Sequence, residues 1–319
     1  MTKAMREILI LGSGVSGLSC GILLLKDGFK VTIWAKEFPP HTTSDRAAAF
    51  WYPYLCNPPD KSTAWAGDTL RYLRQFVLNE PESGCAMRSI TEVFDHQVEN
   101  PWWANAVEEW HRPPQEELPE NYVDGYQTQA VLMDTTRYMG WLLNQYSKLG
   151  GRQRQHEVTN IGEAFASYDI VVNCTGLGSR ELFGDNGVYP IRGQVVMIKS
   201  NGFDQIIADD TGPNSLAVII PRLSDTVLGG TTQVNDWNLE IDPQDTQDIL
   251  RKAAELSLVF NKVEIIGESV GLRPARDEIR LELEKFGAKF VVHNYGHGGS
   301  GFTLSWGCAQ DVLEIIKRL

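Results

Sequence analysis

The chain has 319 residues, which is enough to bury a sizeable core and more than one small domain usually needs. Its formal net charge of −12 argues against nucleic acid or an anionic membrane as a partner. No segment is apolar over the length of a transmembrane helix, residues 1–6 do not resemble a signal peptide, and the last residues are not Ser-Lys-Leu. We therefore expect a soluble, cytoplasmic protein.

The N-terminal segment has the pattern of a strand, a glycine-rich turn, a helix and a second strand. EILILG is followed by GSGVSG, then by an apolar helical pattern that stops at Gly28, and then by KVTIWA. This context predicts a dinucleotide site, because the glycines permit a tight turn, a close approach of the pyrophosphate and close packing of helix on strand. An acidic residue for the ribose hydroxyls follows the second strand. The predicted contacts are Gly12, Gly14, Val15, Ser16, Gly17 and Glu37.

The middle of the chain interrupts this nucleotide-binding pattern. A stretch rich in Trp and Pro runs from Tyr54 to about Asp134, where a helix is expected to begin. The segment from Asp169, DIVVNCTGLGS, predicts a further strand of the nucleotide domain, and YPIRGQVVMIKS, SLAVIIP and TVLGGTTQ predict antiparallel strands. We expect an α/β fold with a discontinuous Rossmann-like domain, residues 1–56, 135–188 and 266–319, and an inserted mixed α+β substrate domain, residues 57–134 and 189–265.

The C-terminal motif HNYGHGGSGFTLSWGCA, from His293 to Ala309, brings a glycine cluster to the start of the last helix. Glycines lack Cβ atoms, so this backbone can lie directly against a flat ring. The helix is predicted from about Phe302 to Leu319, and its free N–H groups and positive dipole end favour an anion beside the glycines. A reduced flavin, negative at N1 and the C2 carbonyl, fits that place. Taken alone, the motif is also compatible with a plain glycine-rich turn.

Together these segments resemble the D-amino-acid oxidase family of FAD enzymes, which includes D-aspartate oxidase. The resemblance covers the whole chain and is carried by ILILGSGVSGL, TTSDRAAAFWYPYL, DIVVNCTGLGS, PIRGQ, IIPR, GLRPARDEIRLE and the C-terminal motif, in family order and spacing. It implies non-covalent FAD in the Rossmann-like domain. It also implies oxidation of a D-amino acid to an imino acid and then a 2-oxo acid, with dioxygen reduced to hydrogen peroxide. The specificity for D-amino acids comes from the resemblance alone. Further FAD contacts are predicted at Thr42, Thr43, Ala48, Thr175, Gly176, Gly298, Gly299, Ser300, Gly301, Phe302 and Thr303.

The predicted substrate site begins with Arg273. A planar guanidinium can hold an amino-acid carboxylate by two parallel hydrogen bonds and so orient the Cα–H bond toward the flavin. The residue matches the carboxylate-binding arginine of the family, whereas we expect Arg276 and Arg280 to form salt bridges. Gly299 matches the family glycine whose carbonyl accepts a hydrogen bond from the substrate amine.

The chain departs from the family where a tyrosine normally helps to bind the carboxylate. Val218 stands at that position, and the second family tyrosine is absent from both of its usual places, now Asn214 and Thr232. Tyr52 and Tyr54, at alternate positions of WYPYL, are candidates to replace the lost hydroxyl. They are equally compatible with aromatic packing between the domains. Without a replacement we expect weak affinity or an altered substrate range.

Three functions remain open at this stage. The first is a D-amino-acid oxidase with a non-standard pocket. The second is a related flavin oxidase acting on glycine, sarcosine or another amino acid, and the third is a flavin-binding protein with little catalysis. The intact Arg273 argues against the third. Arg222, Asp209 and Asp210 lie near the pocket segments, where they either influence charge preference or serve as turn residues.

The cysteines and histidines give no sign of disulfides or of a metal site. Five cysteines without paired spacing are expected to be buried thiols, and the family does not tether flavin through the one in the last helix. The six histidines show no metal-ligand spacing, and the expected chemistry needs no metal. The expected partners are an amino-acid substrate and dioxygen, with a homodimer as one arrangement of the chain.

Overall fold

The computed structural model describes residues 7–52, 57–212, 214 and 216–319. Within these residues the chain forms seven α-helices and fifteen strands. In the first half these are β1 (Glu7–Leu11), α1 (Val15–Lys26), β2 (Lys30–Ala35), β3 (Ala49–Phe50), α2 (Pro59–Asn79), β4 (Cys85–Phe94), β5 (Trp110–His111), β6 (Asp124–Met133), α3 (Thr135–Lys148) and β7 (Arg152–Gln155). The second half contains α4 (Ile161–Phe165), β8 (Ile170–Asn173), α5 (Ser179–Leu182), β9 (Tyr189–Lys199), β10 (Ile206–Asp209), β11 (Ala217–Pro221), β12 (Asp225–Gly229), β13 (Gln233–Val234), α6 (Pro243–Leu256), β14 (Ile265–Phe286), β15 (Lys289–His297) and α7 (Gly301–Lys317). The α/β class expected from the sequence is confirmed.

One half of the sheet is parallel, and helices pack on both of its faces. Its strands follow the order β15, β8, β1, β2 and β7, and every neighbouring pair is parallel. Alternate residues of β1 face two different cores: Ile8 and Ile10 pack with α1, α3 and α7, whereas Leu9 and Leu11 pack with α4. Burial on both faces explains why this strand is an unbroken apolar run.

The other half of the sheet is largely antiparallel. From β14 it continues through β9, β12, β11, β10, β4, β6 and β3, and only β10 and β4 run parallel to each other. The three strands predicted for this region, now β9, β11 and β12, are antiparallel as expected. Because β14 pairs with both β9 and β15, it joins the two halves into one continuous sheet.

Local sequence signals account for several helix ends. Asp134 accepts a hydrogen bond from Thr136 N at 3.2 Å and caps α3, which begins where the sequence predicts it. Gly28 follows the C-cap of α1 at φ +92°, where glycine carries no Cβ penalty. In α6, Asp242 accepts from Gln244 N at 2.8 Å.

The stretch rich in Trp and Pro contains a helix that the sequence pattern did not predict. It is α2, and it packs on α7 so closely that a Cβ on Gly307 would collide with the Trp65 backbone. Gly307 N also donates to Thr69 Oγ1 at 3.0 Å. This helix therefore belongs to the core that covers the parallel half of the sheet.

The four cysteines in the described part of the chain are free thiols. Cys20, Cys85 and Cys308 are buried, which confirms the expectation for these three. Cys174 is only partly buried, and Cys56 lies outside the described residues. In the described ranges no helix is both long and apolar enough to cross a membrane.

Candidate active site

A cavity of about 670 Å³ extends from the first strand–helix turn of the parallel half to the strands of the antiparallel half. Its size is in the range of ligand pockets. At one end it is lined by the turn between β1 and α1 and by Glu37, and at the other by Val218 and Arg273. The nucleotide and substrate sites predicted from separate motifs thus share one cavity.

The glycines at the nucleotide end bring β1 and α1 together. Gly12 has φ +100°, and a Cβ there would collide with the carbonyl of Cys174 in the neighbouring chain segment. A Cβ on Gly17 would in turn collide with the carbonyl of Gly12. Both positions therefore exclude any side chain, and Gly17 supports the turn without lining the cavity.

The N-terminus of α1 points its backbone toward the cavity without an acidic side chain of its own. Its N-cap, Gly14, supplies no side-chain hydrogen bond, and the first turn contains no acidic residue. Ser44 Oγ accepts a hydrogen bond from Val15 N at 3.0 Å. Such a terminus is suited to a pyrophosphate.

Ser44 is a residue that the sequence reasoning missed. It lies in a short turn held by a capping box, in which Thr42 N donates to Asp45 Oδ2 at 2.9 Å. The turn sets Ser44 Oγ 3.1 Å from where a Cβ on Gly14 would lie. The spacing Thr42-x-x-Asp45 was the available signal for this turn.

The C-terminal glycine cluster forms the cavity wall beside a second helix N-terminus. Gly296 and Gly298 have φ +86° and +54°, and a Cβ on Gly298 would meet no atom within 4 Å. The N-cap of α7, Ser300, makes no side-chain capping bond, and the first turn of this helix also lacks an acid. A Cβ on Gly301 would lie 3.9 Å from Val15 Cγ1, so α7 and α1 begin side by side. Both positive helix ends therefore face one cavity.

A buried histidine belongs to the same wall. His297 Nε2 lies 3.0 Å from Asn294 Oδ1 and donates to it. Burial lowers the pKa of His297 to about 4, so the imidazole is neutral at pH 7.

Most residues predicted to contact the cofactor line this cavity. They are Gly12, Gly14, Val15, Ser16, Glu37, Thr42, Thr43, Ala48, Thr175, Gly176, Gly298, Gly299, Gly301 and Phe302. Gly17, Ser300 and Thr303 are not among the lining residues. Thr303 instead fixes the backbone of Tyr52, donating to its carbonyl at 2.8 Å and accepting from its N–H at 3.1 Å.

Arg273 lines the substrate end of the cavity from β14. Its Nη1 donates to the carbonyl of Thr231 at 2.9 Å, and Gly193 on β9 leaves the space that the guanidinium occupies. The neighbouring arginines are held elsewhere, as expected: Arg276 pairs with Asp185 at 3.1 Å, and Arg280 lies 2.7 Å from Glu282.

The three residues at the missing family tyrosines lie in two different settings. Val218 and Thr232 line the cavity, whereas Asn214 is buried and donates its backbone N–H to Asp209 at 3.1 Å. Arg222 is also near the pocket segments in sequence. Its Nη2 donates to Asp225 Oδ2 at 2.6 Å in the turn after β11. None of these side chains supplies a phenolic hydroxyl to the cavity.

Tyr52 lines the cavity, but its hydroxyl is engaged by another residue. It donates a hydrogen bond to the carboxylate of Glu92, which is only 8% exposed, and its ring meets Trp103 edge to face at 5.4 Å. Burial raises the pKa of Glu92 to about 7, against the effect of the tyrosine hydrogen bond. Tyr54, the other candidate, lies outside the described residues.

A second carboxyl group with a raised pKa lines the cavity itself. Burial and the neighbouring charge of Asp209 raise the pKa of Asp210 to about 6, while Arg273 acts in the opposite direction. The sequence reasoning named Asp210 only as a residue near the pocket, because no local pattern showed which way it faces.

The cavity residues fit a dinucleotide that carries a flavin. Glycine backbone and a helix end without an acidic residue in its first turn are available for a pyrophosphate, and a carboxylate at Glu37 is available for ribose hydroxyls. A second helix end with a glycine wall is available for a flat anionic ring. In the described ranges no cluster of three or more His, Cys, Asp or Glu residues could hold a metal.

Comparison with known proteins agrees with this fit. The model of the family described as FAD dependent oxidoreductase matches residues 7–315. The chain is 49% identical over 320 residues to the D-amino-acid oxidase of Dictyostelium discoideum, an alignment that covers 98% of this chain and 92% of that protein. It is 38% identical over 315 residues to the D-amino-acid oxidase of Rubrobacter xylanophilus, with 98% and 96% covered.

A solved structure shows the same fold. The glycine oxidase from Geobacillus kaustophilus superposes with a TM-score of 0.80 at 18% identity, covering 98% of this chain and 95% of that one. The assignment of FAD as cofactor is confirmed by the family match. The chain belongs to the D-amino-acid oxidase family of FAD-dependent oxidoreductases.

Proposed function

We propose that this chain oxidises D-amino acids to imino acids, which water converts to 2-oxo acids and ammonium, with reduction of dioxygen to hydrogen peroxide. The observation that carries the proposal is the position of Arg273 in the same cavity as the N-termini of α1 and α7. A cation for an amino-acid carboxylate and two anion-binding helix ends for the cofactor are thereby brought together.

In this proposal Arg273 binds the substrate carboxylate through its planar guanidinium. The carbonyl of Gly299, in the cavity wall, accepts a hydrogen bond from the substrate amine. With its carboxylate and its amine both held, the substrate has a fixed orientation of its Cα–H bond. Such orientation is a large part of catalysis in an enzyme whose cofactor carries the redox step. Bound FAD would accept the two electrons from the substrate and pass them to dioxygen.

The domain division expected from the sequence is part of the proposal. Residues 1–56, 135–188 and 266–319 would hold FAD, and residues 57–134 and 189–265 would form the substrate domain. The parallel and antiparallel halves of the sheet support this division for the strands, whereas α2 packs on the parallel half through α7.

The remaining expectations concern location and assembly. A cytoplasmic location is supported by the four free cysteines of the described chain, since disulfides form in oxidising compartments. The net charge of −12 supports an absence of nucleic-acid and membrane partners. A homodimer is supported by the exposed apolar side chains of Val234, Trp237 and Leu239 on one segment, and light scattering of the purified protein tests it.

The function is tested by measuring peroxide release with D- and L-amino acids, glycine and sarcosine. We expect turnover of D-amino acids and little with their L-enantiomers. Preference for glycine or sarcosine would instead indicate the related amine oxidase, and no turnover by the FAD-loaded protein would indicate a flavin-binding protein.

The carboxylate contact is tested by comparing Arg273→Ala with Arg276→Ala. The first should lower kcat/KM by about a hundredfold or more with FAD still bound, because a charged bidentate contact is lost from the reacting geometry. The second removes a salt bridge to Asp185 and should have a much smaller effect. Equal, small effects of both would mean that the carboxylate binds elsewhere.

A further inference from the structure

The substrate end of the cavity contains a carboxylate that the proposed reaction does not use. Asp210 directly follows β10 and lines the cavity together with Ala208, Val218 and Arg273. No hydrogen bond contributes to the electrostatics of its carboxyl group in the described structure; the contributors are burial, Asp209 and Arg273.

The groups around Asp210 differ in how their charges are compensated. Asp209 accepts hydrogen bonds from Tyr122 Oη at 2.5 Å, from Gly212 N at 2.6 Å and from Asn214 N at 3.1 Å. Glu92 on β4 accepts a hydrogen bond from the hydroxyl of Tyr52. Among the described residues, Arg273 is the one positive group that contributes to the electrostatics of Asp210.

Substrate binding would remove even that balance. In the proposed function the guanidinium of Arg273 pairs with the substrate carboxylate, so it no longer compensates a second anion. The carboxyl group of Asp210 is then left with the unfavourable influence of Asp209, and it raises the pKa of Glu92 in turn, inside a partly enclosed space where like charges interact more strongly than in water. A positive group on the substrate would restore the balance.

The sheet leaves room for such a substrate side chain. Glu92, Ala208, Val218 and Gly229 are successive cross-strand partners on β4, β10, β11 and β12, so these four positions share one face of the sheet. The two central members, Ala208 and Val218, are short and apolar and line the cavity. They could contact the methylene groups of a long side chain whose end reaches the acidic residues.

We infer that Asp210 makes this site selective for D-amino acids with a cationic side chain, by pairing its carboxylate with the substrate's ammonium or guanidinium group. The inference rests on the proposed function and names the substrate class of the same site.

The test compares D-arginine with D-citrulline, which has nearly the same shape but an uncharged end. The ratio of their kcat/KM values should be at least about tenfold in favour of D-arginine, the range of a charge-assisted hydrogen bond. Asp210→Asn should bring the ratio close to one. Asp204→Asn, an exposed position outside the cavity with the same change in net charge, should leave the ratio unchanged.

The same ratio should fall as the pH is lowered through about 6, because Asp210 becomes uncharged there. A wild-type ratio near one, or an unchanged ratio in Asp210→Asn, overturns the inference. Since the wild-type ratio needs no variant, poor folding of Asp210→Asn does not remove the test. If no D-amino acid is oxidised at all, the proposed function itself fails, and the two failures are distinguishable.

Discussion

The guanidinium of Arg273 occupies the space in which a side chain at position 193 would lie. The two residues are on paired strands, β14 and β9, and Arg273 pairs with Ile191 while Gly193 pairs with Gly271. The side chain of Arg273 therefore crosses β9 diagonally, from the position opposite Ile191 toward Gly193. Its orientation depends on the absence of a Cβ atom from a neighbouring strand.

Gly193→Ala should consequently displace Arg273 without removing its charge. We expect kcat/KM for D-amino acids to fall about tenfold or more, because a misplaced guanidinium no longer fixes the reacting geometry. FAD absorbance should persist, since the atoms nearest to a Cβ at position 193 belong to Arg273 at the substrate end of the cavity. Steady-state peroxide release measures the effect.

The matched control is Gly140→Ala, at an exposed helical position where a Cβ would meet no atom within 4 Å. It should leave turnover unchanged. Full activity of Gly193→Ala would mean that the arginine can bind substrate from another rotamer.

The nucleotide end of the site could be predicted from the sequence because its physics is local. The close contact of Gly17 with the Gly12 carbonyl lies within one strand–turn–helix unit, so the glycine pattern in that context predicts it. The close approach of Gly12 to Cys174, after β8, joins distant segments and was not predicted. The start of α3 at Asp134 was predictable for the same reason, since a cap acts on the next few residues.

The acidic part of the substrate end could not be predicted in this way. The pairing of β4 with β10 sets Glu92 opposite Ala208, two residues before Asp210, and neither segment alone predicts that register. The hydrogen bond from Tyr52 to Glu92 likewise joins the segment after β3 to β4, and the two segments share no sequence motif. Nor was α2 predicted, although its buried positions recur at helical spacing. Two of them are Ser62 and Thr69, so the period cannot be read from apolar residues alone.

Val218→Tyr should restore a carboxylate-binding hydroxyl. Val218 lies beside Gly229, whose neighbour Gly230 would carry a Cβ 4.0 Å from Arg273 Nη2, so position 218 is close to the guanidinium. We expect KM for D-alanine to fall by about tenfold for each 1.4 kcal/mol regained, with less change in kcat. The measurement is the initial rate of peroxide release over a range of D-alanine concentrations.

Tyr52→Phe provides the comparison for that experiment. Its hydroxyl is already engaged by Glu92, so we expect the variant to change KM for D-alanine much less than Val218→Tyr does. If Tyr52→Phe raises KM strongly and Val218→Tyr does not lower it, the hydroxyl of Tyr52 binds the substrate carboxylate.

FAD should be released intact when the protein is precipitated with acid. Of the described cysteines, Cys174 is the one that lines the cavity, and its hydrogen bond with Cys20, together with burial, raises its thiol pKa well above the usual range. A protonated thiol is a poor nucleophile, so a covalent link is not expected. The absorbance spectrum of the supernatant measures the released flavin. Colour that remains in the washed pellet would contradict this expectation.

The last prediction concerns acid stability and follows from His297. Its pKa is lowered to about 4 in the folded protein, against about 6.5 in an unfolded chain. Between these values the unfolded state binds more protons, so this residue's contribution to stability is complete above pH 6.5 and is lost as the pH falls toward 4. Glu92 and Asp210 have raised pKa values and change stability in the opposite direction, so the contribution of His297 must be isolated by difference.

We therefore compare the urea midpoints of the wild type and His297→Asn at pH 7.0 and about pH 5, with FAD present in excess. At pH 7 the variant should be less stable, because it loses the hydrogen bond to Asn294. At the lower pH the difference should shrink, because only the wild type must keep a buried imidazole uncharged. His111→Asn, at an exposed position on β5, is the control for the same substitution outside the cavity. A difference between wild type and His297→Asn that stays constant or grows at the lower pH would mean that His297 binds a proton in the folded state.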